Sequence, residues 1–518
     1  MPVKCDKLKQ ARDFEATYVP FISEEARPCF HLTPTIGWMN DPNGFSLYKG
    51  EYHLFYQYYP YDRIAGPMHW GHAKTRDFIR WERLPAALAP DQEYDKSGCW
   101  SGSAVELPDG RHLLMYTGNK SYRREDGKVR QHQVQCLAFG DGVDYVKYEG
   151  NPVLSDGDVP ENGSTMDFRD PKIWREGDSF YAVVGNRTPD GSGTILMYES
   201  PDALHWRFIG KLASCHNQYG RMWECPDFFN LDGKDVLFVS PQEMKPIGLE
   251  FHLGNGTVCL IGRYDRENVH LIREKVQAID YGIDFYAPQT VLTEDGRRVM
   301  IGWMQNWETS QSKPEEGQFF GAMTVPRELR VVDGRLIQNP VRELERYRGT
   351  RVSYSDVVVS DELNLSGIEG RVLDMTLTIR PWKAEAMYRY FWIKVASNGE
   401  DYTSIRFKPG TDTVRVDRTH SGFPHDILNV RDFQVHPDGG NLKLRIVMDR
   451  NSMELFLNDG EQAASFILYT PQEASSISFR AEGMAVIDVE KYDLVFEIRK
   501  TECFPGRRAP EGSTPTIV

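Results

Sequence analysis

At 518 residues the chain is too long for one ordinary hydrophobic core, so two or three domains are expected. Hydrophobic residues make up 40% and charged residues 26%, the balance of a soluble globular protein. A net charge of −14 argues against a nucleic-acid backbone or an anionic membrane as the main partner and suits a neutral ligand.

No apolar run approaches the roughly 20 residues that span a bilayer. The start, Met1 to Lys7, lacks the apolar stretch of a secretory signal, so a cytoplasmic location is expected. Eight cysteines lie scattered without a CxxC pair, which predicts reduced thiols and neither a metal site nor a cofactor. The 11 Trp and 25 Tyr are a rich supply. Some could stack on a sugar, while packing between sheets accounts for most.

Residues 1–29 read as a polar lead-in, with Glu24-Glu25-Ala26-Arg27 helical. From residue 30 to 335 the pattern is all-β. Short runs such as Tyr52–Tyr58, His112–Tyr116, Phe180–Val184 and Val236–Ser240 are punctuated by Asp109-Gly110, Gly177-Asp178, Asp232-Gly233 and Asp295-Gly296, placed as hairpin turns. Thr75-Arg76-Asp77-Phe78-Ile79-Arg80-Trp81 recurs as Ser200-Pro201-Asp202-Ala203-Leu204-His205-Trp206. Landmarks at Asp41-Pro42, Ser101-Gly102-Ser103, Asp170-Pro171, Glu224-Cys225-Pro226 and Ala287-Pro288-Gln289 repeat about every 55 to 70 residues, the length of a four-stranded blade with generous loops. Five such units predict a five-bladed β-propeller. Residues 336–350 read as a linker with a short helix and 351–500 as a β-sandwich, a supporting module without a cluster of titratable groups. The Pro- and Gly-rich residues 501–518 read as a disordered tail.

Three stretches carry the chemistry: Trp38-Met39-Asn40-Asp41-Pro42-Asn43-Gly44, Phe168-Arg169-Asp170-Pro171-Lys172 and Trp223-Glu224-Cys225-Pro226-Asp227. Any one alone could be a tight turn, since Asn, Asp, Pro and Gly are turn residues. Three acids in three similar settings, each beside a proline and aromatic residues, point to one shared site. A propeller would bring them together, because equivalent positions on innermost strands converge on one axis.

These stretches resemble the three signature motifs of glycoside hydrolase family 32, the invertases, sucrose-6-phosphate hydrolases and fructanases. The resemblance extends through Phe55–Tyr58, Trp70–Ala73, Trp100–Ala104, Gly302–Met304 and Val325–Leu329, in the family's order, and to the sandwich around Met453–Gly460. It implies a retaining β-fructofuranosidase acting on sucrose, its 6-phosphate or short fructo-oligosaccharides, with an exo-acting fructan hydrolase or a fructosyltransferase as the alternative on the same scaffold. Cleaving a glycoside calls for one carboxyl to protonate the leaving oxygen and a second to meet the positive charge developing on the sugar. By resemblance Asp41 is the nucleophile, Glu224 the general acid/base and Asp170 the stabiliser of the transition state. Like-charge repulsion between the acids would help Glu224 keep a proton. Arg169 would keep Asp170 ionised. Asn40, Gln57, Ser101 and Ser103 are candidates for sugar hydroxyls, and Trp70, Trp100 and Trp303 for the ring faces. Tyr286 is placed to hydrogen-bond one of the acids.

In the region after the acid/base, where many invertases carry a tyrosine before a glycine, this chain reads Asn255-Gly256-Thr257-Val258. That departure bears on leaving-group preference or packing. An inverting glycosidase of a neighbouring five-bladed family would lack the Trp38–Gly44 signature, and a binding protein that had lost activity would lack one of the acids.

Overall fold

The computed structural model describes residues 6–124, 127–310, 317–383, 385–422 and 428–496. The expected tail at 501–518 lies outside them. The described chain is all-β apart from one α-helix, Lys7–Tyr18, and a few single turns of 3₁₀ helix. No described helix is long and apolar enough to cross a membrane.

Residues 37–340 form five antiparallel sheets, each built of four strands that follow one another in the sequence. The short Phe319–Phe320 adds to the edge of the first. The first strands of the five are β1 (Gly37–Tyr48), β2 (Gly98–Glu106), β3 (Phe168–Glu176), β4 (Trp223–Leu231) and β5 (Tyr286–Leu292). The turns read from the sequence connect first to second strands, and Asp232 and Gly233 both take the left-handed backbone that tight hairpins require. The repeated motif is a repeated turn. Asp77 and Asp202 each accept two backbone N–H groups just ahead, while Phe78 and Ala203 sit at φ 62° and 64°.

Apolar side chains fill the space between successive sheets. Phe55, Trp70, Leu114 and Tyr116 join the first to the second, and Phe168, Ile173, Leu113 and Met115 the second to the third. Val183, Met197, Leu237 and Val239 join the third to the fourth, and Phe229, Phe238, Met300 and Leu329 the fourth to the fifth. Val291, Val299 and Ile301 of the fifth pack back on Met39, Phe45 and Leu54 of the first. β1 touches β2 and β5, β2 touches β3, β3 touches β4, and β4 touches β5.

The fifth sheet runs on to Pro340, because Arg335–Pro340 pairs with Arg327–Val332 and buries Leu336 and Gln338. The expected linker at 336–350 is therefore part strand, part 3₁₀ turn (Arg342–Tyr347) and part the opening of the next strand, Arg348–Val359. Beyond it a six-stranded and a five-stranded antiparallel sheet face each other across Leu377, Ile379, Ile393, Phe407, Leu444 and Phe479.

Two expectations change. The lead-in is more than a polar arm: Asp6 caps the helix Lys7–Tyr18, Ala11 is buried, and Arg12 and Glu15 hydrogen-bond the backbone of Ala86 in the first sheet. Its single apolar stripe is too short to stand out by period. The C-terminal region, read as free of titratable clusters, contributes Asp449 and Glu454 to a buried charge network with the first 340 residues. His31 bridges them, with Nδ1 2.9 Å from Asp449 and Nε2 3.0 Å from Glu454. Arg327 binds Glu454 at 2.6 Å and Asp280 at 2.9 Å. Burial pushes the His31 pKa down, but the two carboxylates outweigh it and hold it at about 9.

His31→Leu is expected to destabilise the protein by roughly 3–5 kcal/mol, because two carboxylates lose a buried counter-charge. Since the folded pKa is the raised one, the stabilisation is complete below pH 6.5 and lost as pH rises through about 9. Urea midpoints across that window should fall for the native protein and stay flatter for the variant.

Candidate active site

The first strand of every sheet carries a β-bulge at the same step. Between Met39 and Pro42, Trp100 and Gly102, Arg169 and Lys172, Glu224 and Asp227, and Tyr286 and Gln289, the first strand inserts one residue more than its partner. Bulges re-aim side chains out of the pleat. A proline follows four of the five, removing an N–H that the interrupted ladder could not pair. The residue before proline favours extended backbone, yet Asp170, Cys225 and Ala287 stand at φ 65°, 46° and 51°. Left-handed backbone costs such residues on the order of 1–3 kcal/mol each and is typical of functional sites.

The bulges present two rows. In one, Arg169, Glu224 and Tyr286 lie side by side: Arg169 Nε donates to Glu224 Oε1 at 3.0 Å, and the Tyr286 hydroxyl lies 2.7 Å from Glu224 Oε2. That hydroxyl is also 3.0 Å from the Ser240 carbonyl, so its single proton has two acceptors in reach. Arg169 is anchored from behind by Asp167 and Gln133. In the other row, Ser101 Oγ donates to Asp41 Oδ2 at 2.9 Å and Asn40 Nδ2 to Asp41 Oδ1 at 3.1 Å. The Cys225 backbone N–H donates to Asp170 Oδ2 at 3.0 Å, and the Cys225 sulfur lies 3.6 Å from both Asp41 and Asp170. The three acids, 183 residues apart in sequence at the extremes, thus surround one point.

Burial and the neighbouring charge of Glu224 raise the Asp41 pKa to about 6 and the Asp170 pKa to about 7. Every hydrogen-bond partner of Asp41 is a donor, whereas Glu224 faces one donor and one shared hydroxyl. Arg169 gives its hydrogen bond to Glu224, and toward Asp170 it acts through charge, which opposes the upward push of burial and of Glu224.

Trp100 is half-buried beside this point, with Tyr59, Trp307 and Phe320 in the same aromatic cluster. Trp38 stacks on Trp307 and Phe320 and donates Nε1 to Asn40 Oδ1 at 2.7 Å. Four other residues expected at the site are buried. Trp70 is fully enclosed between the first two sheets and donates to the Trp100 carbonyl; Trp303 is fully enclosed behind Trp38 and Trp307. Ser103 bridges Pro171 O and Ile173 N, tying β2 to β3. Gln57 is buried and donates to the Cys99 carbonyl. These four brace the site from behind. The sequence reading missed Trp307, Gln133 and Asp167, although Trp307 follows Trp303 by four residues. It also missed that Thr117 accepts the Asp170 N–H.

Residues 31–340 match the glycosyl hydrolases family 32 N-terminal domain and 343–495 the family 32 C-terminal domain. The chain belongs to glycoside hydrolase family 32 and is a glycosidase. It is 36% identical over 482 residues to the sucrose-6-phosphate hydrolase of Zymomonas mobilis, spanning 90% of this chain and 92% of that protein. It is 37% identical over 469 residues to the raffinose invertase of Escherichia coli, spanning 89% and 93%. A structure of a mutant Bombyx mori family 32 β-fructofuranosidase in complex with sucrose superimposes with a TM-score of 0.80 at 33% identity, covering 95% of this chain and 99% of that one.

Proposed function

We propose that this protein is a retaining β-fructofuranosidase that hydrolyses the terminal fructosyl bond of sucrose or its 6-phosphate through a covalent fructosyl-enzyme intermediate. The observation that carries the reading is the meeting of Asp41, Asp170 and Glu224 on bulges of three separate sheets. The five sheets, each packed on the next and the last on the first, read as the blades of a β-propeller, and the two C-terminal sheets as a β-sandwich. Residues 30–340 then form the catalytic unit. One relative named above is a sucrose-6-phosphate hydrolase and the superimposed structure holds sucrose, which supports the choice of sugar.

The roles follow from the hydrogen bonds. Asp41 accepts from Asn40 and Ser101, which favours its ionised form and aims it as a nucleophile at the anomeric carbon. If Glu224 is protonated, its Oε2–H donates to Tyr286, Tyr286 donates to the Ser240 carbonyl, and Arg169 donates to Oε1, so every donor and acceptor is used. That proton is the one the leaving glycosidic oxygen takes. The resulting carboxylate then draws a proton from water in the second step, while Arg169 steadies its charge. Asp170, fixed by Cys225 and Thr117, accepts fructose hydroxyls and opposes the positive charge of the oxocarbenium-like transition state. Trp100 and Trp307 offer ring faces to the sugar.

Proton NMR during the first turnovers should show β-fructose before mutarotation. Immediate appearance of the α-anomer would remove the covalent step. Comparing kcat/KM for sucrose, sucrose-6-phosphate, kestose and inulin should favour the two disaccharides; a preference for inulin would make the protein an exo-acting fructan hydrolase.

A further inference from the structure

We propose that the C-terminal unit takes part in substrate binding: Arg418, Asp284 and Thr309 form a relay that sets the position of Trp307 in the aromatic cluster backing Asn40 and Asp41. This rests on the fructofuranosidase reading and assigns the relay residues as positioning residues, since none touches the sugar.

The relay begins outside the catalytic unit. Arg418, between the strands Thr413–Asp417 and Val430–Gln434 of the C-terminal region, is buried, and its Nη1 donates to Asp284 Oδ2 at 2.6 Å. The backbone N–H of Ile467, in the strand Gln462–Ile467, donates to the same oxygen at 2.8 Å. Asp284 is fully buried two residues before β5, and its other oxygen faces the hydroxyl of Thr309 at 3.2 Å. The same hydroxyl lies 2.8 Å from Gln305 Oε1.

Thr309 closes a tight loop. Its N–H and that of Ser310 both donate to the Asn306 carbonyl, and Ser310 Oγ donates to the Trp307 carbonyl. Gln305, Asn306, Thr309 and Ser310 are all buried, while Trp307 between them is half-buried on the site side. Tyr469 of the C-terminal unit interacts with Gln305, a second contact on the same loop. Asn306 also donates to the carbonyl of Asn255, and Glu308 accepts the Asn255 N–H, so the segment that departs from the invertase pattern is tied to this loop too.

From Trp307 the path reaches the chemistry. Its indole stacks on Trp38 at 6.0 Å and 25°; Trp38 holds Asn40, and Asn40 holds Asp41. A buried ion pair spanning the two units is expensive to keep unless both partners are well bonded. Here the ion pair fixes the carboxylate against which the loop is set. A loop held only within its own sheet would leave Trp307 more rotational freedom, and a looser wall binds sugar less tightly without changing the acids.

The test is a mutant cycle. Thr309→Val keeps shape and removes the hydroxyl. It is expected to raise KM for sucrose about three- to tenfold, the range one hydrogen bond commands, with kcat within about twofold. Trp307→Ala is expected to raise KM by about tenfold or more. In the Trp307→Ala background Thr309→Val should add nothing, and Arg418→Lys should behave in the same way, with melting temperatures recorded for every variant. Multiplying effects, or a lower melting temperature with an unchanged KM, would overturn the relay. An unchanged KM in Trp307→Ala would remove Trp307 from the sugar site and the relay with it. Failure of the native protein to turn over sucrose would strike the fructofuranosidase reading instead.

Discussion

Asp41→Asn is expected to cut sucrose hydrolysis by on the order of 10⁴-fold or more while leaving the protein at least as stable as before. The rate loss follows from the covalent step: an amide has no lone pair basic enough to attack the anomeric carbon, and no other group on that side replaces it. The sulfur of Cys225 is 3.6 Å away, but burial raises its thiol pKa well above the ordinary value, so it stays protonated. The stability gain follows from the same placement that makes Asp41 reactive. Its pKa rises from 3.8 to about 6 because burial and Glu224 disfavour the charge. A raised carboxyl pKa favours the folded state only while the group is protonated. That stabilisation is present below about pH 4 and lost as pH rises through 6. At pH 7 the ionised group therefore costs about 1–3 kcal/mol relative to a neutral isostere. Denaturant midpoints of the variant and the native protein should coincide near pH 4 and separate toward pH 7, with the variant higher. A variant that kept substantial activity would take Asp41 out of its role; one destabilised at pH 7 would mean that Asn40 and Ser101 hold the carboxylate better than burial opposes it.

Much of this site could be read from the chain because its positions are marked by proline. Asp41-Pro42, Asp170-Pro171, Cys225-Pro226 and Ala287-Pro288 occupy the bulges of four first strands, and Ser101-Gly102 the fifth. A bulge needs a residue that gives up a ladder hydrogen bond, so the backbone device leaves a mark in the sequence. What the device holds is free to vary, which is how one repeated kink supplies three carboxylates, a tyrosine and a serine. The reading failed where function and packing use the same residue types. Trp70 and Trp303 carry the same apolar faces as Trp100, and only the packing separates the enclosed pair from the half-buried one. The network of His31 with Asp449 and Glu454 joins residues more than 400 positions apart, and no local pattern announces such a pair. The Arg418 relay stayed hidden for the same reason.

Glu224→Gln separates the two halves of the reaction. With sucrose, whose leaving group is a poor one, kcat/KM should fall about 10²- to 10⁴-fold, the usual contribution of a positioned general acid. The acid limb of the pH profile, set by ionisation of Asp41, should remain but move to lower pH, because the Glu224 charge that helps hold the Asp41 pKa at about 6 is gone. Arg169 and Tyr286 can still bond the amide, so the site should keep its shape and KM should change little. A β-fructofuranoside of p-nitrophenol needs no proton on departure, so its first step should run nearly as fast as in the native protein. The fructosyl-enzyme would then accumulate, because water lacks a base to activate it, and a burst of p-nitrophenolate equal to the enzyme concentration should precede slow turnover. Azide needs no base and should release the trapped sugar as the β-fructosyl azide. Loss of the burst, with both substrates slowed alike, would mean that Glu224 supports the geometry of Asp41 rather than moving a proton. Sucrose turnover at the native rate would place the proton on another group, and Asp170, whose carboxyl pKa burial pushes up, is the one positioned to hold it.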